Sequence, residues 1–297
     1  MEVINCPVCQ STEYSPYLKT WDRFDPTRQT KFELVQCQKC NFVFLNPRPN
    51  EQEIAHYYTA DNYDPFISLE ADPSLRSRLY AAIRRSNLNW KARQIRKITG
   101  PGTLLDYGCA TGEFIAQMIG YGWQGYGLEV DQKARRFACD RGLNVVATTN
   151  QLSADISYDV ITLWHVLEHI NELHKALKFF TEHLVKNGYL IIAVPNLESS
   201  DFKKYRHKWI ALDTPRHLYH FTQASIEHLL QPYGLHLEKR IPLIFDTFYN
   251  HFMTNAIIHR PISGFINSIA GIGGTLFRTW LISINAASTL VYFFKKG

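Results

Sequence analysis

Between residues 103 and 194, short apolar runs alternate with stretches whose apolar residues recur at helical spacing. Residues 103–107, 125–129, 143–147, 159–163 and 189–194 read as strands, and 112–121, 131–141 and 172–186 as helices. Such alternation predicts a parallel sheet with helices on both faces. Two later runs, 235–241 and 288–294, are expected to pair as closing strands. Ahead of the alternation, 73–99 reads as a long helix with Ser74 near its start and Gly100-Pro101-Gly102 stopping it. Its apolar stripe is Leu75, Leu79, Ile83, Trp90, Ile95 and Ile98. A shorter helix is expected over 51–61. The first 50 residues break the pattern and end in Asn46-Pro47-Arg48-Pro49-Asn50, which continues neither a helix nor a central strand.

The expected organisation is therefore a small module over 1–50, a helical linker or cap over 51–102, and an α/β domain over 103–297. An apolar insertion at about 242–287 precedes the last strand.

Cysteines give the first module its chemistry. Cys6-Pro7-Val8-Cys9 and Cys37-Gln38-Lys39-Cys40 are two C-x2-C knuckles with 27 residues between them. Each knuckle offers two thiolates to one tetrahedral ion, so the pair reads as a closed Zn²⁺ site with a structural role. So small a module has little core of its own, and a metal makes up the difference. The opening Met1-Glu2-Val3-Ile4-Asn5-Cys6 shows no signal-peptide pattern, so a cytoplasmic, reducing location is expected, where paired cysteines bind metal.

The α/β domain opens on Leu104-Leu105-Asp106-Tyr107-Gly108-Cys109-Ala110-Thr111-Gly112-Glu113-Phe114. An apolar strand ends in an acid, and a glycine-containing loop then starts a helix. Gly108 permits a tight turn against a ligand, and Gly112 permits a close helix start. The D-x-G-x-x-x-G spacing differs from the G-x-G-x-x-G that suits a pyrophosphate. Glu129 ends the next strand, where a carboxylate can accept from both hydroxyls of a ribose. Together these features point to an adenosine-type cofactor.

Residues 105–112, Glu129 and Tyr158-Asp159-Val160-Ile161-Thr162-Leu163-Trp164-His165-Val166-Leu167-Glu168-His169-Ile170 resemble the class I S-adenosylmethionine (SAM)-dependent methyltransferases. The resemblance covers roughly 103–240. It implies a Rossmann-like seven-stranded sheet whose last strand is antiparallel. It also implies that Asp106, Gly108 and Gly112 line the methionine side of SAM and that Glu129 holds the ribose. The acid that usually meets the adenine is replaced by Ala147-Thr148-Thr149-Asn150. The knuckles, with Asn41-Phe42-Val43-Phe44-Leu45-Asn46-Pro47-Arg48-Pro49 and His56-Tyr57-Tyr58, look like the zinc-knuckle leader of bacterial methyltransferases associated with sugars, surface polysaccharides and natural products.

His165, Glu168 and His169 follow the fourth strand at i, i+3 and i+4, and Pro215-Arg216-His217-Leu218-Tyr219-His220-Phe221 adds two histidines. Three roles stand side by side. His165 or His169 is a general base for the acceptor, or the cluster binds a second divalent metal, or Glu168 and His169 brace the loop beneath SAM. Glu168-His169 resembles half of the Glu-x-x-Glu-His site of ubiquinone-biosynthesis O-methyltransferases and small-RNA 2′-O-methyltransferases, with His165 where the first Glu would stand. Because the SAM sulfonium is already activated, the protein chiefly has to align acceptor and methyl. Trp164 and Tyr107 offer ring faces to the sulfonium or pack in the core.

Residues 261–277 carry no charge, nor do 279–294. Each run is shorter than the roughly 20 residues that span a bilayer. They read as packed helices, or as an apolar lid or interfacial patch giving peripheral contact with the inner membrane face through 261–294.

A net charge of +5 is mildly basic and does not demand nucleic acid. Locally, however, Arg76, Arg78, Arg84, Arg85, Lys91, Arg93, Arg96 and Lys97 have no intervening acid. The leading expectation is methyl transfer from SAM to a sugar, glycan or lipid-like acceptor (EC 2.1.1 class). The rivals are an RNA methyltransferase gripping RNA through the zinc module and basic helix, and a non-catalytic binding protein of the same fold.

Overall fold

The computed structural model describes residues 1–25, 27, 29–58, 75–258 and 261–297. Two sheets organise it. The smaller has the order β1 (Tyr14–Trp21), β2 (Lys31–Cys37), β3 (Val43–Leu45) and β9 (Tyr219–His220). Its pairings are antiparallel, from Tyr14 opposite Cys37 to Phe44 opposite Tyr219. Phe42 and Phe44 are fully buried, and the Phe42 ring lies 5.5 Å from that of Phe221. The N-terminal residues thus gain apolar cover from a strand far along the chain.

The larger sheet is mixed and seven-stranded. Its order is β10 (Leu235–Pro242), β11 (Thr289–Lys296), β8 (Leu184–Pro195), β7 (Tyr158–Trp164), β4 (Thr103–Tyr107), β5 (Gln124–Leu128) and β6 (Asn144–Val146). β4 pairs parallel with both β5 and β7, and β5 with β6. Leu104, Leu105, Val160, Ile161 and Leu163 are buried, as near-continuous apolar runs in a covered parallel sheet should be. The strands and helices expected from 103 onward are all present, and the expected closing pair stands as neighbours.

The helices are α1 (Glu51–Ile54), α2 (Leu75–Arg96), α3 (Glu113–Gly120), α4 (Gln132–Asp140), α5 (Leu173–His183), α6 (Ser200–Tyr205), α7 (Gln223–Leu230), α8 (Ile244–Ile258) and α9 (Pro261–Leu281), among the described residues. The proposed starts at 73 and 74, and the end of the shorter helix at 59–61, lie outside the described residues. Two details differ from the sequence reading. α5 ends at His183, because the chain enters β8 at Leu184 and strand pairing replaces helical hydrogen bonds. Ile83 is exposed whereas Ile95 is buried, so the apolar stripe does not face the core along the whole described length of α2. No helix of the described residues is long and apolar enough to cross a membrane.

By compactness the chain forms two units. One comprises Met1–Ala60, His165–Lys178 and Ile192–Phe294; the other comprises Asp61–Trp164, Phe179–Ile191 and Lys295–Gly297.

Candidate functional site: a nucleoside cradle, a histidine cluster and a four-sulfur centre

The cradle lies wholly in the second unit. β4 delivers Asp106 to the end of the sheet, buried, with its Oδ1 accepting from Thr162 Oγ1 of β7 at 2.6 Å. Burial raises its pKa to about 6, opposed by Thr162 and by the charge of Lys91. The loop after β4 is tied to β5: the amides of Gly108 and Cys109 donate to Leu128 O at 2.7 and 3.0 Å. Gly112 sits at φ 74°, and a Cβ there would lie 2.4 Å from Leu143 Cδ1, so α3 can start this close only with glycine.

Glu129 closes the cradle. Its Oε2 accepts from Ala110 N and its Oε1 from Asp131 N, both at 2.8 Å. A carboxylate has about four acceptor positions, so each oxygen keeps one for a further donor. Burial raises the Glu129 pKa and the two amides lower it. In the turn after β6, Gln151 Oε1 accepts from Ala147 N at 2.8 Å. Trp164 meets the Phe114 ring edge-on at 5.6 Å, and Lys91 Nζ stands 4.4 Å from the centre of its ring. Its indole is thus held in packing, and Lys91 takes a cation–π position there.

α2 spends other cations within this unit. Arg84 Nε pairs with Glu113 Oε2 at 2.6 Å, and Arg96 lies 4.2 Å from the centre of the Tyr121 ring.

The histidine cluster lies wholly in the first unit. His165, at a left-handed φ of 60°, places Nδ1 3.3 Å from Glu168 Oε1 and Nε2 2.6 Å from Asp246 Oδ2. Burial opposes its charge, but Asp246 and Glu168 outweigh that and raise its pKa to about 10. As held here His165 is an imidazolium and has no lone pair to receive a proton. His169 is the opposite case, because burial lowers its pKa and keeps it neutral. Its Nδ1 is 3.1 Å from Arg216 O and 3.0 Å from Tyr58 Oη. A carbonyl only accepts, so Nδ1 carries the proton and Nε2 keeps the lone pair. His217 repeats this with Nδ1 2.9 Å from Ala211 O. Burial holds its pKa well below the usual value.

Glu168 is fully buried, and its Oε2 has no hydrogen-bond partner. One donor atom from each of Glu168, His169 and His217 lies within 4.8 Å of the others. Two neutral imidazoles oriented by backbone carbonyls and one unsatisfied carboxylate oxygen are a donor set that fits a divalent cation. Buried Arg216 anchors the segment, pairing through Nη2 with Asp22 Oδ1 at 2.6 Å and Asp213 Oδ1 at 2.7 Å.

The sequence reading missed Asp246, Tyr58 and Asp213. One signal was present for Asp246: it is the only acid between residues 242 and 287. A lone carboxylate in an apolar segment needs a partner.

Cys6, Cys9, Cys37 and Cys40 bring their sulfurs within 4.8 Å of one another. The two knuckles repeat one hydrogen-bond pattern. Cys6 N donates to Ser11 O and Gln10 N to Cys6 O; Cys37 N donates to Phe42 O and Asn41 N to Cys37 O. Gln10 and Asn41, each just after the second cysteine of its knuckle, both have φ 60°, the left-handed step that turns the chain back to the amide of the first cysteine. Burial pushes the Cys6 thiol up to about 11 against the amides of Val8 and Cys9 at its sulfur, whereas at Cys37 the amides of Cys40 and Lys39 help bring the thiol down to about 7 against its burial. This cluster fits a small zinc module.

The family profile described as "Methyltransferase domain" matches residues 76–239. Among curated proteins, a "Ubiquinone biosynthesis O-methyltransferase" of Rickettsia canadensis (strain McKiel) is 21% identical over 162 residues, covering 50% of this chain and 69% of that protein. Among solved structures, magnesium protoporphyrin IX methyltransferase from Synechocystis PCC 6803 aligns with TM-score 0.53 and 11% identity, over 84% of this chain and 100% of that one. The [4+2]-cyclase SpnF aligns with TM-score 0.50 and 14% identity, over 84% and 97%. The last likeness shows why the fold alone does not fix the reaction.

Proposed function

The chain belongs to the methyltransferase-domain family matched over residues 76–239, and from that premise we propose that it transfers the methyl group of SAM to a sugar, glycan or lipid-like small-molecule acceptor. The observation that carries the reading is the Glu129 carboxylate, fixed by two amides with an acceptor position left on each oxygen for a ribose diol. Asp106, Gly108 and Gly112 shape the loop beside the methionine part, and Trp164 walls it. SAM supplies the activated methyl; the chain supplies alignment and exclusion of water.

On the acceptor side, His169 is the residue we assign as base, because its neutral ring keeps Nε2 available. His165 serves the same role only when its contact with Asp246 opens. The alternative role for His169, with Glu168 and His217, is to hold a divalent cation that orients an acceptor oxygen. Zn²⁺ in the four-sulfur site is structural, and its thiolates suit a reducing, cytoplasmic location.

Small molecules are favoured over RNA by two points. Relatives are named for ubiquinone biosynthesis and for magnesium protoporphyrin IX. In addition, Arg84, Lys91 and Arg96 of the basic helix are engaged within the protein. The lipid-like end of the acceptor range, with peripheral membrane contact, is favoured by the apolar helices α8 and α9. The testing experiment is calorimetric titration of the zinc-loaded chain with SAM and S-adenosylhomocysteine. Micromolar binding of both is expected. A folded, zinc-loaded protein that binds neither overturns the reading in favour of a non-catalytic binding protein.

A further inference from the structure

Helices α8 and α9 are built inside out. The buried residues of α8 are Thr247, Asn250, His251, Thr254 and Asn255, all polar. On α9 the inward face carries Gly264, Ser268, Gly271, Thr275 and Thr279, with Ile272 its one large apolar residue among those described. Several of these polar groups find partners on the facing helix or on Asp201 of α6, and Asn255 Oδ1 is left without one. Thr275 Oγ1 donates to Asp201 Oδ1 at 2.6 Å, His251 Nε2 lies 2.9 Å from that same oxygen, and Asn255 Nδ2 donates to Ser268 Oγ at 3.2 Å. The helices cross so closely at Gly271 that a Cβ there would sit 2.4 Å from His251 Nδ1.

The outward face of α9 is large and apolar. Phe265 is 60% exposed, Trp280 67% and Leu281 70%, with Ile266, Ile269 and Phe277 exposed between them. At roughly 100° per residue they occupy about 160° of one side of the helix. A soluble surface helix carries the reverse pattern, and a contiguous apolar face of this kind marks an interaction site.

The stripe runs into a charged cleft. Arg278 and Ile282 line an open cleft of about 880 Å³ together with Lys203, Lys204 and Arg206, and Glu198 is its one acid. Apolar side chains with a tryptophan, edged by cations, are what an anionic bilayer surface accepts. A two-fold pairing with a second copy would instead bring like cations toward each other.

We propose that α8 and α9 seat the protein on a membrane containing anionic phospholipid, with the α9 stripe in the interface and Lys203, Lys204, Arg206 and Arg278 meeting head-group phosphates. The inference rests on the lipid-facing part of the function proposed above and says where that contact is made.

The test is sedimentation of the full zinc-loaded chain with vesicles of phosphatidylcholine alone and of phosphatidylcholine with one quarter phosphatidylglycerol. Binding to the anionic vesicles is expected to be tenfold or more tighter. Lys203→Glu with Lys204→Glu should erase most of that preference, and Phe277→Ser with Trp280→Ser should abolish binding to both. All four side chains are exposed, and the circular dichroism spectrum and thermal unfolding midpoint of each variant report whether it is folded. Wild-type protein that ignores anionic vesicles overturns the proposal, as does a stable dimer broken by Phe277→Ser with Trp280→Ser. Normal SAM binding without vesicle binding defeats this inference alone; vesicle binding without SAM binding defeats the methyltransferase reading alone.

Discussion

Glu129 Oε2 accepts the amide of Ala110 at 2.8 Å, so the acid ending one strand fixes the loop that follows its neighbour. The same carboxylate therefore shapes the cradle and offers acceptor positions to a ligand. Replacing it by alanine removes both functions. Hydrogen bonds to a charged group contribute roughly 1.5–3 kcal/mol each, so loss of two to a ribose lowers SAM affinity by about 100-fold or more. Glu129→Gln, which keeps one acceptor oxygen, should lose about tenfold. Calorimetric titration checks both, and an unchanged affinity in the alanine variant removes Glu129 from the ribose.

Asp106 predicts a pH dependence. Its folded pKa is about 6, above the ordinary 3.8, because burial disfavours the carboxylate. A raised folded pKa means the native state holds the proton more tightly. The associated stability is fully present below pH 3.8 and is lost as pH rises through 6. The span corresponds to about 3 kcal/mol at most. Asp106→Asn keeps an acceptor for Thr162 and removes the titration. Between pH 4 and 6 the urea midpoint of the wild type should fall relative to that of Asp106→Asn and then level off; parallel curves would show that Asp106 does not titrate there.

Gly112 should tolerate no side chain. Alanine would have to hold φ 74° and push Leu143 and Ala138 aside, since its Cβ would meet them at 2.4 and 3.1 Å. Left-handed strain and overpacking cost on the order of 1–3 kcal/mol each. Gly112→Ala should therefore lower the thermal midpoint by several degrees and weaken SAM binding through the displaced start of α3.

How much of this was legible depends on the range of the interactions. The strand carrying Asp106, the loop to Gly112 and the strand ending in Glu129 are local patterns, and the sequence displays them directly. Both knuckles are local too, and their convergence follows from zinc chemistry. What stayed hidden is pairing over long separations. Nothing near Val43 signals β9, and nothing near His165 signals Asp246, which lies 81 positions later. The polar inner faces of α8 and α9 were hidden for another reason: uncharged Ser, Thr and Asn in an apolar run look like dilution until the burial shows they face inward.

Glu168, His169 and His217 make a second metal testable apart from the four-sulfur site. With zinc in the thiolates, addition of Co²⁺ or Mn²⁺ should load one further ion per chain, followed by visible absorption or electron paramagnetic resonance. His217→Ala removes one of three donors and should weaken that binding by about tenfold or more. Second-site binding that survives both His217→Ala and Glu168→Gln unchanged places the ion elsewhere and leaves His169 to its role as base.

The zinc module yields the last prediction. Four buried or half-buried sulfurs converge here without disulfide bonds, so the reduced module has four thiols crowded together when no ion binds them. One tightly bound zinc per chain is expected by elemental analysis. Cys6→Ser replaces a thiolate by a weaker ligand and should release it. Binding of structural zinc contributes about 10–16 kcal/mol in isolated fingers, and here the pairing of β3 with β9 and the buried Phe42 and Phe44 retain part of the fold without it. The loss should therefore lower the midpoint of unfolding steeply without unfolding the whole chain, and the cradle, built in the other unit, should still bind SAM. Metal content that stays at one per chain in Cys6→Ser would mean the four sulfurs do not share an ion.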